Sequence, residues 1–202
     1  RKLCQMKRIL VALSALAMLT ACNNCQPRNI FDQEWRTAYG TAPFSDITTP
    51  QYLPAFEMGI NEEKKNIAHI IYNSETPTFE NTILALENAS PLLDKVQGVF
   101  FNLAESDSTP EMQAIEEEVL PKLTEASNEI MMNEDLFARV KAVYENMDGL
   151  TREQQMVTKK IYQAFERNGV GLSAEDKQRF AEISTRLSTL SQKFGQNLLA
   201  EN

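Results

Sequence analysis

The chain has 202 residues, of which 43% are hydrophobic and 24% are charged, a composition typical of a globular chain rather than a disordered one. Its net charge is −8 and no basic stripe interleaved with aromatic residues occurs, which argues against a nucleic-acid partner. Glycine is scarce, at seven residues, while Leu, Ala, Glu and Lys are abundant, so the composition favours helix.

A basic and then apolar segment follows Met6. Two basic residues precede an eleven-residue apolar run at 9–19, which is the arrangement of a secretory signal peptide. The run is about half as long as a transmembrane helix requires. We expect residues 6–21 to be removed as a signal peptide, and residues 1–5 to precede the natural start. Loss of the four basic residues in 1–8 leaves 16 basic and 28 acidic side chains, a net charge of −12.

The apolar run ends in Leu19-Thr20-Ala21-Cys22, which resembles a bacterial lipobox. The small residues before Cys22 let a peptidase approach the backbone, and the thiol can accept a diacylglyceryl group before cleavage. We predict that Cys22 is the lipidation site and that two or three acyl chains hold the protein stably in a membrane. A plain cleavable signal with an incidental cysteine is the alternative.

The three cysteines predict no structural disulfide. Cys4 precedes the expected start, Cys22 carries the lipid, and Cys25 then has no partner. The Cys22-x-x-Cys25 spacing also occurs in redox and zinc motifs, but no second cysteine pair and no βαβ pattern accompany it here.

Residues 22–48 show neither helical nor strand periodicity and include the only tryptophan, Trp35. This pattern predicts a tether followed by an extended segment that lays aromatic side chains onto the body. Thr49 is the expected N-cap of the first helix, with Pro50 at its first position.

The helical period then continues almost without pause, and residues 49–202 are predicted to be an all-α lobe. Six helical regions are expected to begin at or after Thr49, Thr78, Thr109, Asn133, Thr151 and Ser173. Thr151 and Gln154 form a capping box, and Asn168-Gly169 is a left-handed helix stop. Three interior prolines should act on these helices, with Pro54 bending the first, Pro91 kinking or splitting the second, and Pro121 breaking the third.

The last helix carries the most regular apolar seam of the chain, formed by Phe180, Ile183, Leu187, Leu190, Phe194 and Leu198. One interpretation of this seam is a coiled-coil contact that would make the mass depend on concentration. Glu201 and the terminal carboxylate would be unfavourable at the negative end of this helix, and no basic residue follows Lys193. We therefore expect the polypeptide to continue past Asn202.

Residues that could carry chemistry are few. His69 is the only histidine and lies within a helix among isoleucines, so a catalytic or zinc-binding role is not favoured. The acidic runs 62–65 and 116–118 are interpreted as solvated helix faces, because consecutive helical residues point in different directions. The 168–172 loop lacks the features of a phosphate loop, and Met131-Met132 is interpreted as core filler. No catalytic or metal residue is predicted in this chain.

Four stretches, 42–60, 76–103, 133–145 and 150–202, resemble in this order the amino-terminal region of bacterial peptidyl-dipeptidases. These enzymes belong with oligopeptidase A and thimet oligopeptidase in one family of zinc metallopeptidases. The resemblance implies a mostly helical enzyme of two lobes around a deep channel for short peptides. It also implies a His-Glu-x-x-His zinc site downstream of Asn202, so no functional residue is carried over onto this sequence.

The resemblance and the lipobox together predict the amino-terminal, channel-forming portion of a lipid-anchored zinc peptidase, inactive by itself. The complete enzyme is expected to be monomeric, to act on short peptides and to release carboxyl-terminal dipeptides. It is expected to lie in the cell envelope, facing the periplasm, with zinc bound outside this chain. The alternative is a self-contained helical lipoprotein that serves as a binding or scaffold module.

Overall fold

The computed structural model describes residues 28–200, with side chains through residue 198. It contains six main helices: α1 (Tyr52–Ile71), α2 (Pro91–Ser106), α3 (Pro110–Met131), α4 (Glu134–Tyr144), α5 (Arg152–Arg167) and α6 (Ala174–Ala200). A π-helical segment (Phe79–Leu84), followed by one α-turn (Ala85–Glu87), connects α1 to α2. No strand occurs between residues 28 and 200, so the predicted all-α fold is confirmed. The expected signal peptide, the three cysteines, Glu201 and Asn202 lie outside the described residues.

Short polar side chains define most helix starts, as the sequence predicts. In each case the side-chain oxygen accepts a backbone N–H from the first turn: Thr78 from Asn81 (3.1 Å), Thr109 from Met112 (3.2 Å), Asn133 from Leu136 (2.8 Å) and Thr151 from Gln154 (3.3 Å). The first start is the exception. Thr48, not Thr49, is the N-cap of a 3-10 turn (Thr49–Gln51) that leads into α1, and the Gln51 side chain accepts the Thr48 backbone N–H at 2.7 Å.

The three interior prolines have different effects. Pro91 is the first residue of α2 and separates it from the preceding turn, which confirms the predicted split. Pro54 is the third residue of α1, where a helix needs no backbone donor. The expected break at Pro121 is wrong, because α3 continues through it to Met131. This helix packs against both α1 and α6, and that packing compensates for one missing hydrogen bond.

Two hydrophobic clusters form the core. The first core cluster contains Phe31, Tyr52, Ala55, Phe56, Leu93, Val96, Val99, Phe100, Ala104, Met112 and Val119. The second core cluster contains Ile67, Ile70, Ile83, Ala89, Ile130, Leu136, Val140, Val143, Phe165 and Val170. Helix α1 supplies residues to the first cluster from its amino-terminal half and to the second from its carboxyl-terminal half. It therefore connects the two clusters.

The segment before α1 is fixed to the helices by aromatic packing. It forms 3-10 turns at Ile30–Asp32 and Ala38–Gly40 and is therefore not extended throughout, contrary to the sequence prediction. Phe31 is 1% exposed, and its ring lies 5.5 Å from that of Tyr52 and 6.0 Å from that of Trp35. Lys95 of α2 donates to the Phe31 carbonyl at 3.0 Å, and its ammonium lies 4.1 Å from the centre of the Trp35 ring. These contacts attach the amino-terminal end of the lobe to α1 and α2.

A buried arginine holds the connection after α1. Arg139 of α4 is 9% exposed and donates to the carbonyls of Asn73 (2.7 Å) and Glu75 (3.3 Å). Its other terminal nitrogen lies 3.2 Å from the Asn81 side-chain oxygen. A single cation thus bonds to two backbone carbonyls and one side-chain oxygen of this connection, which fixes it against α4.

The orientation of α6 differs from that of an ordinary surface helix. Five residues of its apolar seam are exposed, with exposed fractions from 52% for Ile183 to 70% for Phe194. The side packed on α3 is polar, and the Gln196 side-chain nitrogen is buried there without a partner among the described residues. Helix α6 therefore directs its polar side inward and its apolar side outward.

A glycine permits the closest approach between α1 and α2. A Cβ atom on Gly59 would lie 2.9 Å from Cα and 3.0 Å from the nitrogen of Leu93, closer than real side chains come to backbone. Both positions are inside the helices, so neither backbone can move without disturbing the first core cluster.

Gly59→Ala should therefore destabilise the protein by about 1–3 kcal/mol, because the added methyl group forces α1 and α2 apart. Gly98→Ala is the matched control, since Gly98 is also helical and its Cβ would meet no atom within 4 Å. The control should stabilise by up to about 1 kcal/mol through helix propensity. Urea denaturation followed by circular dichroism measures both, and an equal effect of the two substitutions would contradict the packing argument.

Candidate functional site

The one site residue that the sequence predicts, Cys22, lies outside the described residues. Among those that are described, no group of three or more His, Cys, Asp or Glu side chains is placed to hold a metal ion. The described side chains therefore do not fit a zinc site. His69 is exposed on α1, beside a shallow depression lined by Asn66, Asn73, Asn81 and Asn88. Nothing in this arrangement gives the imidazole a nucleophile or a carboxylate partner.

The acidic run 116–118 does not converge on one point, as the sequence predicts. Glu118 pairs with Lys122 at 2.9 Å, and Lys122 also pairs with Glu57 of α1 at 3.0 Å. Glu116 instead turns toward α6 and is half-buried, and this burial raises the pKa of Glu116 while a hydrogen bond with Gln192 opposes the rise. The interpretation as a solvated face is thus wrong for Glu116, because α6 packs over it.

The run 62–65 also differs from a simple solvated face. The Glu62 carboxylate accepts the Leu92 backbone N–H at 3.2 Å and so stabilises the start of α2. The neighbouring Glu63 is half-buried and lines a cavity. Sequence spacing gives no signal for either role, because both depend on α2 crossing α1 at Gly59.

This cavity lies between the helices and has a volume of about 900 Å³. Its apolar wall includes Ile67, Leu93, Leu123, Ile130 and Ile161, from both core clusters and the residues packed on them. Its polar wall includes Glu63, Glu87, Asp94, Thr124, Asn128 and Lys160. Helices α1, α2, α3 and α5 contribute most of the lining, and α6 adds Ser184.

The charged residues of the polar wall are three acidic ones, Glu63, Glu87 and Asp94, and one basic one, Lys160. Burial raises the pKa of Glu63, the nearby Asp94 carboxylate raises it further, and Lys64 partly opposes both. The Asn128 side-chain nitrogen is buried and has no hydrogen-bond partner among the described residues. The cavity can therefore accept and orient polar groups on an apolar floor.

A second groove, of about 1020 Å³, runs between α3 and α6. Pro121 of α3 and Met132 just after α3 line one side, and Ala181, Thr189 and Leu190 of α6 line the other. Lys177 bounds one part of this groove, where its ammonium bonds to Glu134 at 2.5 Å. The groove exists because the inward side of α6 carries small and polar residues that do not fill the space beside α3.

No described helix is long and apolar enough to cross a membrane. The amino-terminal sequence, by contrast, matches the model of a prokaryotic membrane lipoprotein lipid attachment site over residues 6–23. This match supports a membrane-anchored location in the cell envelope.

Comparison of the rest of the chain with known proteins finds peptidases. It is 37% identical over 161 residues to dipeptidyl carboxypeptidase of Escherichia coli, covering 79% of this chain and 24% of that protein. It is 36% identical over 164 residues to dipeptidyl carboxypeptidase of Salmonella typhimurium, covering 80% of this chain and 24% of that protein. Oligopeptidase A of E. coli is 29% identical over 168 residues, with coverages of 81% and 24%. The chain thus spans about a quarter of the length of these relatives.

The raised pKa of Glu63 has a consequence for stability. Its folded pKa exceeds its unfolded value, so the folded state binds more protons and stability falls as pH rises through the interval between the two values. Glu63→Gln removes this loss, and the variant should be more stable than the parent at neutral pH. The difference should vanish below about pH 4, where the glutamate is protonated in both states.

Thermal melts at neutral pH and at low pH test this prediction. Glu117→Gln, at an exposed position of α3, is the control and should change stability by less than about 0.5 kcal/mol at either pH. A Glu63→Gln variant that is less stable than the parent at neutral pH would contradict the assigned environment.

Proposed function

Because this chain is homologous to the dipeptidyl carboxypeptidases and oligopeptidases A, we propose that it is the amino-terminal portion of a lipid-anchored zinc metallopeptidase. The complete enzyme cleaves short peptides and releases dipeptides from their carboxyl ends. The observation that carries this proposal is the 37% identity to a dipeptidyl carboxypeptidase across four fifths of the chain.

The role of this portion is to form one wall of the peptide channel. The cavity between its core clusters supports this role, because it combines an apolar floor with acidic and amide side chains. Zinc and the residues that activate water belong to the remaining part of the enzyme, since the described residues contain no ligand cluster. By itself this chain is inactive.

The exposed seam of α6 supports the proposal that this lobe packs against more polypeptide of the same enzyme. Ile183, Leu187, Leu190 and Phe194 follow one another on a single helix face, and each is more than half exposed. Contiguous apolar area of this kind is typical of an interface rather than of a free surface. The relatives are long enough to contain such a partner for this face, because about three quarters of each lies outside the matched region.

A self-contained lipoprotein module is the second candidate function. Two buried core clusters and capped helices lie within this chain, which favours independent folding. Such a module would bind a partner without catalysis. The two candidate functions predict different results when the lobe is joined to the remainder of a relative: the first predicts an active enzyme, and the second predicts none.

A chimera tests the proposed function. The matching quarter of E. coli dipeptidyl carboxypeptidase is replaced by the homologous residues of this chain, and dipeptide release from a blocked peptide is measured with and without zinc. The chimera should be active, with a rate within about tenfold of the parent enzyme. This allows for interface mismatches that raise the activation free energy by about 1.4 kcal/mol.

Two further proteins complete that experiment. A chimera with the matching quarter of E. coli oligopeptidase A is the positive control, and the enzyme without this quarter is the negative control. This chain alone should release no dipeptide even with added zinc. A folded chimera without activity would favour the scaffold module.

Substitutions in the α6 seam should have different effects on stability in this chain alone and in the chimera. In this chain alone, Leu187→Gln with Phe194→Gln should reduce binding of an apolar dye and change stability by less than about 0.5 kcal/mol, because both side chains are exposed. In the chimera the same pair should destabilise by about 2 kcal/mol or more, because the seam is buried there.

The matched control is Arg186→Gln with Lys193→Gln, each one residue before a seam position and exposed. It should have little effect in either setting. If the seam pair were equally harmless in the chimera, the seam would not be an interface within the enzyme. Concentration-dependent dimerisation of the chain alone, abolished by the seam pair, would instead indicate a second copy as the partner.

A further inference from the structure

The lobe begins very close to its membrane anchor. Cys22, the predicted lipidation site within the matched segment 6–23, is only six residues before Arg28. Six residues span at most about 20 Å when fully extended. Phe31 is buried against Tyr52 three residues later, so the anchor is followed almost at once by the packed body. This end of the lobe cannot move far from the lipid surface.

A surface loop returns to the same end of the molecule. Arg28, Thr37, Pro43 and Asp46 line one hollow together with Trp35. The loop 37–46 is therefore adjacent to the residue at which the anchored chain joins the lobe. The short tether therefore holds the side chains of this loop near the bilayer.

Two aromatic side chains of this loop point into solvent. Tyr39 is 102% exposed and Phe44 is 59% exposed. The Tyr39 backbone has φ of 60°, a left-handed conformation that costs a non-glycine residue roughly 1–2 kcal/mol. The turn is fixed by the Gly40 N–H, which bonds to the Thr37 carbonyl at 3.2 Å, and by the Thr41 hydroxyl, which bonds to the Ala38 carbonyl at 3.1 Å. The phenol ring is thus held away from the body by an ordered turn.

The charge of this region also suits a phospholipid surface. Residues 28–48 contain two basic and three acidic side chains, a net charge of −1, whereas residues 49–202 contain 14 basic and 25 acidic side chains, a net charge of −11. An anionic leaflet repels the acidic body and repels this end far less. Tyrosine is enriched at membrane–water interfaces because its ring is apolar and its hydroxyl is polar.

We propose that Tyr39 and Phe44 insert into the headgroup region of the phospholipid bilayer to which Cys22 is anchored. The lipid supplies the attachment, and the two rings orient the lobe so that the segment before α1 faces the membrane. This inference depends on the lipid anchor and is independent of the peptidase activity. A docking role toward another protein is the competing outcome.

Fluorescence tests this arrangement because Trp35 is the only tryptophan. Trp35→Phe with Tyr39→Trp moves the single indole to the loop, while Trp35→Phe with Tyr72→Trp moves it to an exposed control position at the end of α1, where Tyr72 is 83% exposed. Both lipidated proteins are reconstituted into phosphatidylcholine vesicles with and without brominated acyl chains. Flotation on a density gradient confirms that each protein is attached.

The indole at position 39 should shift its emission to shorter wavelength and lose about half of its intensity to brominated lipid, whereas the indole at position 72 should do neither. Adding Phe44→Ser to the first variant should reduce the quenching. Equal quenching at both positions, or none at position 39 in vesicles that float with the protein, would overturn the proposal. Failure of both proteins to float would overturn the lipid anchorage on which it rests.

Discussion

The close approach of α1 and α2 at Gly59 and Leu93 is the constraint on which the rest of the lobe depends. Without a side chain at Gly59, the two helices meet almost backbone to backbone, and the first core cluster closes around that contact. Helix α1 then continues past the crossing and supplies Ile67 and Ile70 to the second core cluster. The crossing therefore determines the positions of both clusters and of the cavity between them. It also places the Glu62 carboxylate at the start of α2 and Glu63 at the cavity wall.

Polar groups are used inside this lobe where an isolated small domain would use apolar ones. Arg139 bonds to backbone carbonyls of the connection after α1, the inward side of α6 is lined with hydroxyl and amide groups, and burial, together with the nearby Asp94 carboxylate, raises the pKa of Glu63. The apolar residues of α6 are displaced to the outside. This inversion is physically consistent with a lobe that forms part of a larger enzyme, because an outward apolar stripe is stabilising only when other polypeptide covers it.

The two ends of the described chain meet different surroundings in the proposed enzyme. Arg28, where the described chain begins, is at most about 20 Å from the anchoring cysteine, and the segment that follows is held to the helices by Phe31 and Lys95. Helix α6 offers its seam to the remaining polypeptide of the enzyme. A lobe attached in this way would hold a peptide-cleaving enzyme at a defined orientation on the membrane, with a short tether and two aromatic side chains acting together.

The sequence alone determined the all-α class, most helix starts, the split at Pro91 and the lipid attachment site. These features depend on local rules, since a cap or a helical period involves residues only a few positions apart. Only the tertiary structure decided that α3 continues through Pro121, that Glu63 and Glu116 are half-buried, that Arg139 supports the α1 connection, and that the seam of α6 faces outward. Each of these depends on which helices pack together, and periodicity identifies an apolar face without revealing which partner covers it.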